Sequence, residues 1–169
     1  MKIFSFVCVL ALAAAPLAGA QGTKAAQTKK APAAAAKGGS AAGARTVEIT
    51  GSDTMKYSVT EITAKPGEKI HVVLKALGSM PKIAMAHNFV LLQAGVNPQD
   101  VANAAFNARA TDFIPADMSA KIIAHTSLVG GGETSEVTFS APTKPGKYDY
   151  LCTFPGHFSQ GMRGTLTVK

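Results

Sequence analysis

The sequence predicts an all-β fold for residues 46–169, a β-sandwich with one short inserted helix. Eight stretches in this region are rich in Val, Ile, Thr, Tyr and Phe, and several alternate apolar with polar residues, as half-buried strands do. They cover residues 46–50, 55–64, 69–76, 86–93, 121–128, 135–141, 147–154 and 163–169. Turn sequences separate them, and the two Pro-Gly turns at 66–67 and 145–146 lead directly into strands. Many short strands joined by such turns are typical of a sandwich.

One segment between the strands predicts the helix. Residues 97–110 read NPQDVANAAFNARA, which places Asn97 where an N-cap is expected and Pro98 at the first helical position. Alanines follow, and alanine is the best helix former.

The N-terminus has the pattern of a secretory signal peptide over residues 1–20. Lys2 precedes a short apolar run, and Ala18-Gly19-Ala20 forms a small-residue cleavage site before Gln21. We therefore expect export to the periplasm. If the segment were retained, it would anchor the chain to the membrane.

Residues 21–44 differ in composition from the rest and predict a flexible tether. They are mostly Ala, Gly and Lys, and they offer no periodic apolar face that could offset the entropy of folding. Six of the 17 basic residues lie in residues 1–45, so residues 46–169 carry 11 basic against 10 acidic residues. The basic tail could contact an anionic membrane or an acidic partner, whereas the nearly neutral remainder argues against nucleic acid.

The loop YLCTFPGHFSQGM, residues 150–162, carries the most specific chemistry of the chain. It gathers Cys152, His157 and Met162, and removal of the signal peptide with Cys8 would leave Cys152 as the single cysteine. A thiolate, an imidazole and a weak thioether suit copper, whose electron-transfer sites use two His, one Cys and a long axial Met. The second histidine must come from elsewhere. His87 opens an apolar strand, whereas His71 and His125 are better interpreted as surface or half-buried histidines.

The residues alone leave other functions open. Cys152 could be a nucleophile paired with a histidine whose imidazole Asn88 orients, although this leaves Met162 and the second histidine unexplained. A copper-binding carrier without an electron-transfer role is a second alternative. Zinc is a third, although zinc gains little from a thioether.

Several stretches resemble the azurins, which are small blue-copper cupredoxins. They are GSDTMKYSVTEITA, AMAHNFVLL, IAHTSLVGGGE, CTFPGH and GTLTVK. The resemblance implies that residues 45–169 form a cupredoxin Greek-key sandwich that binds one type 1 copper. It implies His87, Cys152 and His157 as ligands, with Met162 axial and the backbone carbonyl of Ala86 on the opposite side.

The same resemblance implies further roles. Asn88 would tie the two ligand segments together, and the backbone N–H of Phe154 would point at the cysteine sulfur. The protein would be a monomeric one-electron carrier, not an enzyme, and its partners would be redox proteins such as a cytochrome or an oxidoreductase.

The chain departs from the azurin pattern in three places. Four residues, not three, separate His157 from Met162, which resembles the auracyanin branch, as does the tether. Ala86 stands where azurins usually have Gly, and the azurin disulfide is absent. We also expect one ring edge of His157 to reach the surface within an uncharged patch. The patch would contain Met80, Met85, Pro155 and Phe158.

Overall fold

The structure is a computed structural model that describes residues 43–169. The predicted signal peptide and the predicted tether up to residue 42 lie outside the described residues and stay predictions. Within residues 43–169, no helix combines the length and the apolar character that crossing a membrane would require.

Eleven strands and one α-helix make up the described region. In chain order they are β1 (Arg45–Ser52), β2 (Lys56–Tyr57), β3 (Glu61–Ala64), β4 (Lys69–Leu77), β5 (Ala86–His87), β6 (Val90–Leu92), α1 (Pro98–Ala105), β7 (Ile122–His125), β8 (Val129–Gly130), β9 (Thr134–Ser140), β10 (Gly146–Leu151) and β11 (Arg163–Val168). Two 3₁₀ turns, Arg109–Thr111 and Ala116–Lys121, connect α1 to β7.

The strands form two main sheets, which confirms the predicted all-β sandwich with a short helix. One sheet has the order β2-β1-β4-β9, and the other has the order β3-β11-β10-β6-β7. The pairs β1–β4 and β3–β11 are parallel, and the other pairs within these sheets are antiparallel. A short antiparallel pair, β5–β8, holds Ala86 and His87 opposite Gly130 and Val129.

The inner faces of the two sheets meet in one apolar core. Its fully buried members include Ile49, Ile70 and Leu74 from the first sheet and Leu91, Tyr150 and Leu166 from the second. Cys152 and Met162 belong to the same cluster, so the end of the loop that follows β10 is continuous with the core. A close-packed core of this kind fixes the positions of the backbone segments that leave it.

The helix forms where the sequence predicts it but is shorter. The Asn97 side chain accepts a hydrogen bond from the Gln99 N–H at 3.0 Å, and Pro98 is the first helical residue. The helix ends at Ala105, and the rest of the predicted segment forms a turn and a 3₁₀ turn.

Two predicted strands are each divided in the structure. Residues 55–64 become β2 and β3, which belong to different sheets, and residues 86–93 become β5 and β6. In the first case Met55 has a φ of 56°, so the chain turns sharply just before Lys56. A propensity pattern cannot show such a transfer between sheets, because both halves keep the strand composition.

Candidate metal centre

Three metal-binding side chains converge at one end of the sandwich. His87 ends β5, Cys152 directly follows β10, and His157 lies in the turn that leads to β11. One ligand atom from each lies within 4.8 Å of the others, and all three residues are at most 2% exposed. Cys152 Sγ and His157 Nδ1 are 3.5 Å apart. The structure thus brings together three of the residues that the sequence singled out.

The Nδ1 atom of His87 indicates that this cluster suits a metal. Among the described residues, it is the buried side-chain nitrogen or oxygen that lacks a hydrogen-bond partner. Buried polar atoms are nearly always paired, because leaving one unpaired costs about 1–3 kcal/mol. A metal ion bound between His87, Cys152 and His157 would satisfy this atom, and the residues present therefore fit copper.

Both histidines are held in the form that can bind a metal. Burial lowers the pKa of His87, and burial together with the nearby His87 lowers the pKa of His157 to about 4. The two ring centroids are 5.0 Å apart. Neutral imidazoles keep a free nitrogen lone pair, which a metal ligand needs.

The environment of Cys152 opposes a free thiolate. Burial raises the pKa of this thiol to about 12, while the backbone N–H groups of Asn88 and Phe154 act in the opposite direction. Phe154, whose N–H the resemblance to azurins directs at the sulfur, is one of these two groups. A bound metal would supply the positive charge that deprotonates a coordinating thiol.

Asn88 ties the two ligand-bearing segments together, as expected. Its Nδ2 donates to Thr153 Oγ1 at 2.8 Å, and its Oδ1 accepts from the Thr153 N–H at 2.9 Å. Because Asn88 follows His87 and Thr153 follows Cys152, these bonds fix the His87 and Cys152 segments relative to each other. Nδ2 also lies 3.2 Å from the Asp112 carbonyl oxygen, to which it donates.

Met162 lies near His87 and is hydrogen-bonded through its backbone to His157 and Cys152. Its side chain is fully buried, its N–H donates to the His157 carbonyl at 3.0 Å, and its carbonyl accepts from the Cys152 N–H at 3.1 Å. Gly51 of β1 lies next to the side chains of Met162 and His87. A Cβ at Gly51 would be 2.8 Å from His87 Cγ and 2.9 Å from Met162 Cε, so the missing side chain makes room for both residues.

Ala86 presents its carbonyl to the cluster without crowding it. The Ala86 oxygen is 4.0 Å from Cys152 Sγ. Its methyl group packs in a separate apolar cluster with Ala105, Phe113 and Leu128. The additional methyl relative to glycine is therefore accommodated away from the ligands.

The remaining histidines lie outside the cluster, as expected. His71 Nδ1 is 2.9 Å from Thr138 Oγ1, and its Nε2 is 3.3 Å from Glu136 Oε2. His125 is exposed, and its Nδ1 is 3.2 Å from the Thr126 carbonyl oxygen.

The expectation of a surface patch around His157 is wrong in two respects. His157 is only 2% exposed, and Phe158 is 8% exposed. Phe158 packs inward against a cluster that includes Val90, Val101 and Leu151, and the Arg163 guanidinium carbon lies 5.1 Å from the centre of its ring. Met80 is exposed as expected, whereas Met85 and Pro155 are half-buried.

Two contributors to the site were missed in the sequence. Gly51 lies just after the first predicted strand, residues 46–50, and Tyr57 lies within the second, residues 55–64, and neither pattern indicates a role in the site. The Tyr57 hydroxyl is buried and donates to the Asn88 carbonyl. The available indication was its position between Met55 and Val59 on one face of the predicted strand, since buried tyrosine hydroxyls usually have a partner.

Comparison with known proteins places the chain in a family. The model of the copper-binding plastocyanin/azurin family matches residues 44–169. The azurin of Achromobacter denitrificans is 41% identical over 125 residues, which cover 72% of this chain and 82% of that protein.

Solved auracyanins share the fold. The dithionite-reduced auracyanin of Roseiflexus castenholzii is 37% identical with a TM-score of 0.66, over 75% of this chain and 99% of that one. Auracyanin A of Chloroflexus aurantiacus, described as a blue copper protein, is 36% identical with a TM-score of 0.67, over 75% of this chain and all of that one. The chain therefore belongs to the copper-binding plastocyanin/azurin family, and it is a blue copper protein of the electron-carrier type.

Proposed function

We propose that the chain carries single electrons between redox proteins in the periplasm, through one copper held by its own side chains. His87, Cys152 and His157 would hold the copper strongly and Met162 would hold it weakly, with the Ala86 carbonyl close to the same cluster. The observation that carries this assignment is the buried cluster of three donors in which His87 Nδ1 has no other partner.

Copper supplies the redox chemistry, because it alternates between Cu(I) and Cu(II). The protein's part is to keep the ligands in place while the charge of the site changes. His87 is held by the β5–β8 pair, and the Asn88–Thr153 bonds connect it to the Cys152 segment. A site that moves little during electron transfer has little reorganisation to oppose the step.

The surroundings of the cysteine sulfur tune the site. The N–H groups of Asn88 and Phe154 stabilise negative charge on Sγ, and the fully buried side chains around it exclude water. Hydrogen bonds to a coordinating sulfur and the dryness of the shell are the main controls on the potential of such a site.

The same features argue against the alternatives. A cysteine nucleophile needs a reachable thiolate and a base of suitable pKa. Here Cys152 is fully buried with a raised thiol pKa, and the pKa of His157 is lowered to about 4. A copper carrier must exchange its metal, which complete burial of the donor set does not favour.

A groove beside Phe154 offers a place where a redox partner could approach. The groove has a volume of about 250 Å³ and is lined by Ile83, Phe113, Leu128 and Phe154, together with Lys82, Arg109 and Asp112. The Phe154 ring packs against His157 with centroids 4.8 Å apart. Small, weak contacts are typical of redox encounters, and we propose a cytochrome or an oxidoreductase as the partner.

The location rests on the sequence. The predicted signal peptide supports export, and the basic tether supports a contact with a membrane or an acidic surface near the site of action. N-terminal sequencing of the mature protein would test cleavage after residue 20.

Titration with Cu(II) tests the metal assignment. The parent should bind one copper per chain and develop an intense visible band from thiolate-to-copper charge transfer. Cys152→Ser should remove the band, and His87→Gln should remove or strongly alter it, while both variants stay folded by circular dichroism. His71→Gln is the matched control and should keep the band. A blue Cys152→Ser variant would contradict the assignment.

Redox cycling distinguishes an electron carrier from a copper carrier. The loaded protein should lose its colour on reduction and regain it on reoxidation, over repeated cycles in the presence of a Cu(I) chelator. Transfer of the copper to the chelator upon reduction would favour the copper carrier instead.

A further inference from the structure

Lys56 makes a long-range contact with the loop that carries His157 and Met162. Its ammonium donates a hydrogen bond to the carbonyl of Gln160, which is 104 residues away in the chain. Gly161 lies directly alongside, since a Cβ built there would be 2.7 Å from Lys56 Nζ. The contact therefore falls on the two residues that immediately precede Met162.

The loop itself leaves this carbonyl without a backbone donor. The Gly161 N–H bonds to the Phe158 carbonyl at 2.9 Å, the Met162 N–H to the His157 carbonyl at 3.0 Å, and the Gln160 N–H to the Gly156 carbonyl at 3.2 Å. Among the described residues, Lys56 provides the donor for the Gln160 oxygen. Gly161 then turns with a φ of 90°, and Met162 enters the core.

The backbone of Lys56 is held in place relative to the His87–Asn88 segment. Lys56 and Tyr57 form β2, which pairs with Ser52 and Gly51 of β1. The Tyr57 hydroxyl donates to the carbonyl of Asn88, the residue after His87. Neighbouring residues of a strand point to opposite sides, so β2 contacts the Asn88 segment with one side chain and the Gln160 carbonyl with the next.

We propose that Lys56 is a positioning residue of the metal centre. It holds the Gln160–Gly161 turn and thereby fixes the position of Met162 relative to the three other proposed ligands. This role rests on the proposed function of Met162 as the axial ligand. In this role Lys56, which lies outside the loop, also holds the four residues between His157 and Met162 in place.

The test compares Lys56→Met with Lys147→Met in the full-length, copper-loaded protein. Methionine keeps most of the apolar stem of lysine but removes its charge and its donors. Lys147 is an exposed lysine of β10 with no ion pair among the described residues, so its replacement makes the same change in net charge away from the loop.

Three measurements give the outcome. In the Cu(I)-loaded protein, amide hydrogen exchange at Gly161 and Met162 should become faster in Lys56→Met, while the amides of β4 and β9 should be unchanged. Copper release to a chelator should become roughly fivefold faster, the factor that corresponds to one lost hydrogen bond of ordinary strength. The visible spectrum of the Cu(II) form should shift, which a purely structural surface contact would not cause.

Each result bears on one proposal only. If Lys56→Met and Lys147→Met match the parent in all three measurements, Lys56 does not position Met162. If the parent itself shows no thiolate-to-copper band, the proposed copper function fails, whatever Lys56 does. Faster exchange at Gly161 without any change in spectrum or release would also overturn the positioning role.

Discussion

The metal centre is assembled from two segments that the protein holds in different ways. The His87–Asn88 segment lies between paired strands, where β5 pairs with β8 and Asn88 bonds to Thr153. The Cys152–Met162 loop lies beyond the end of β10 and supplies three of the four predicted ligands. Most of its backbone hydrogen bonds join residues within the loop itself.

This difference shows how a short loop can carry a precise site. Local turns alone would leave the loop free to move as a unit relative to the sandwich. Besides the burial of Cys152 and Met162 in the core, three contacts connect it to distant parts of the chain: the packing of Phe158, the Asn88–Thr153 bonds and the Lys56 contact with Gln160. Removing these connections one at a time measures how much each segment depends on the other.

Removal of the Phe158 ring should have the largest effect. Phe158→Ala leaves a cavity in the cluster beneath α1, and truncation of a buried phenylalanine costs about 3–5 kcal/mol of unfolding free energy. Denaturant unfolding of the copper-free protein measures the loss. Phe106→Ala is the matched control, because Phe106 is 55% exposed and should cost less than about 1 kcal/mol.

The comparison of these two variants separates two views of the loop. If local turns were sufficient to hold it, Phe158→Ala would cost no more than Phe106→Ala. A large difference between them shows that the loop is part of the core.

Removal of the Asn88 side chain should have the next largest effect. Asn88→Ala leaves the Thr153 N–H and hydroxyl buried without their partner, at a cost of about 2–3 kcal/mol. The variant should also broaden or weaken the visible copper band, because His87 and Cys152 lose their direct connection. Asn103→Ala is the control, since the Asn103 side chain makes an exposed contact with Gln99. A band unchanged in Asn88→Ala would show that the sandwich core alone fixes the two ligand segments.

The sequence could predict the candidate ligands of the loop better than the residues that hold them in place. Cys152, His157 and Met162 lie within eleven residues, and their chemistry is unusual enough to indicate copper without knowledge of the fold. His87 was favoured only by its place at the start of an apolar strand and then by the resemblance to azurins, because nothing in the chain connects it to the loop until the sheets pair. The sandwich and the helix start also followed from local patterns, namely strand composition, turns and the Asn97 cap.

Residues that act through distant contacts could not be predicted in this way. Tyr57 reaches Asn88 across 31 residues, and Lys56 reaches Gln160 across 104. The sequence interpretation places Phe158 at the surface beside His157, because His157 follows a Pro-Gly turn. The turn around Gly156, which has a φ of 85°, instead carries it under α1. Such inward turns depend on the tertiary packing and leave no periodic pattern in the sequence.

The smallest effect is expected from pH, and it compares the two histidines directly. The folded protein holds the pKa of His157 at about 4, against an ordinary value of 6.5, and burial lowers that of His87 in the same direction. In the unfolded chain His157 is therefore protonated below pH 6.5, whereas in the folded copper-free protein it stays neutral until the pH approaches 4. Stability is consequently full above pH 6.5 and falls as the pH decreases towards 4, and the loss due to His157 is roughly 2 kcal/mol at pH 5. Denaturant unfolding at several pH values should show a flatter decrease for His157→Gln than for the parent, and an intermediate one for His87→Gln. Equal slopes for the parent and His157→Gln would show that the loop opens enough to let water reach this ring, and would make the loop the less rigid of the two segments.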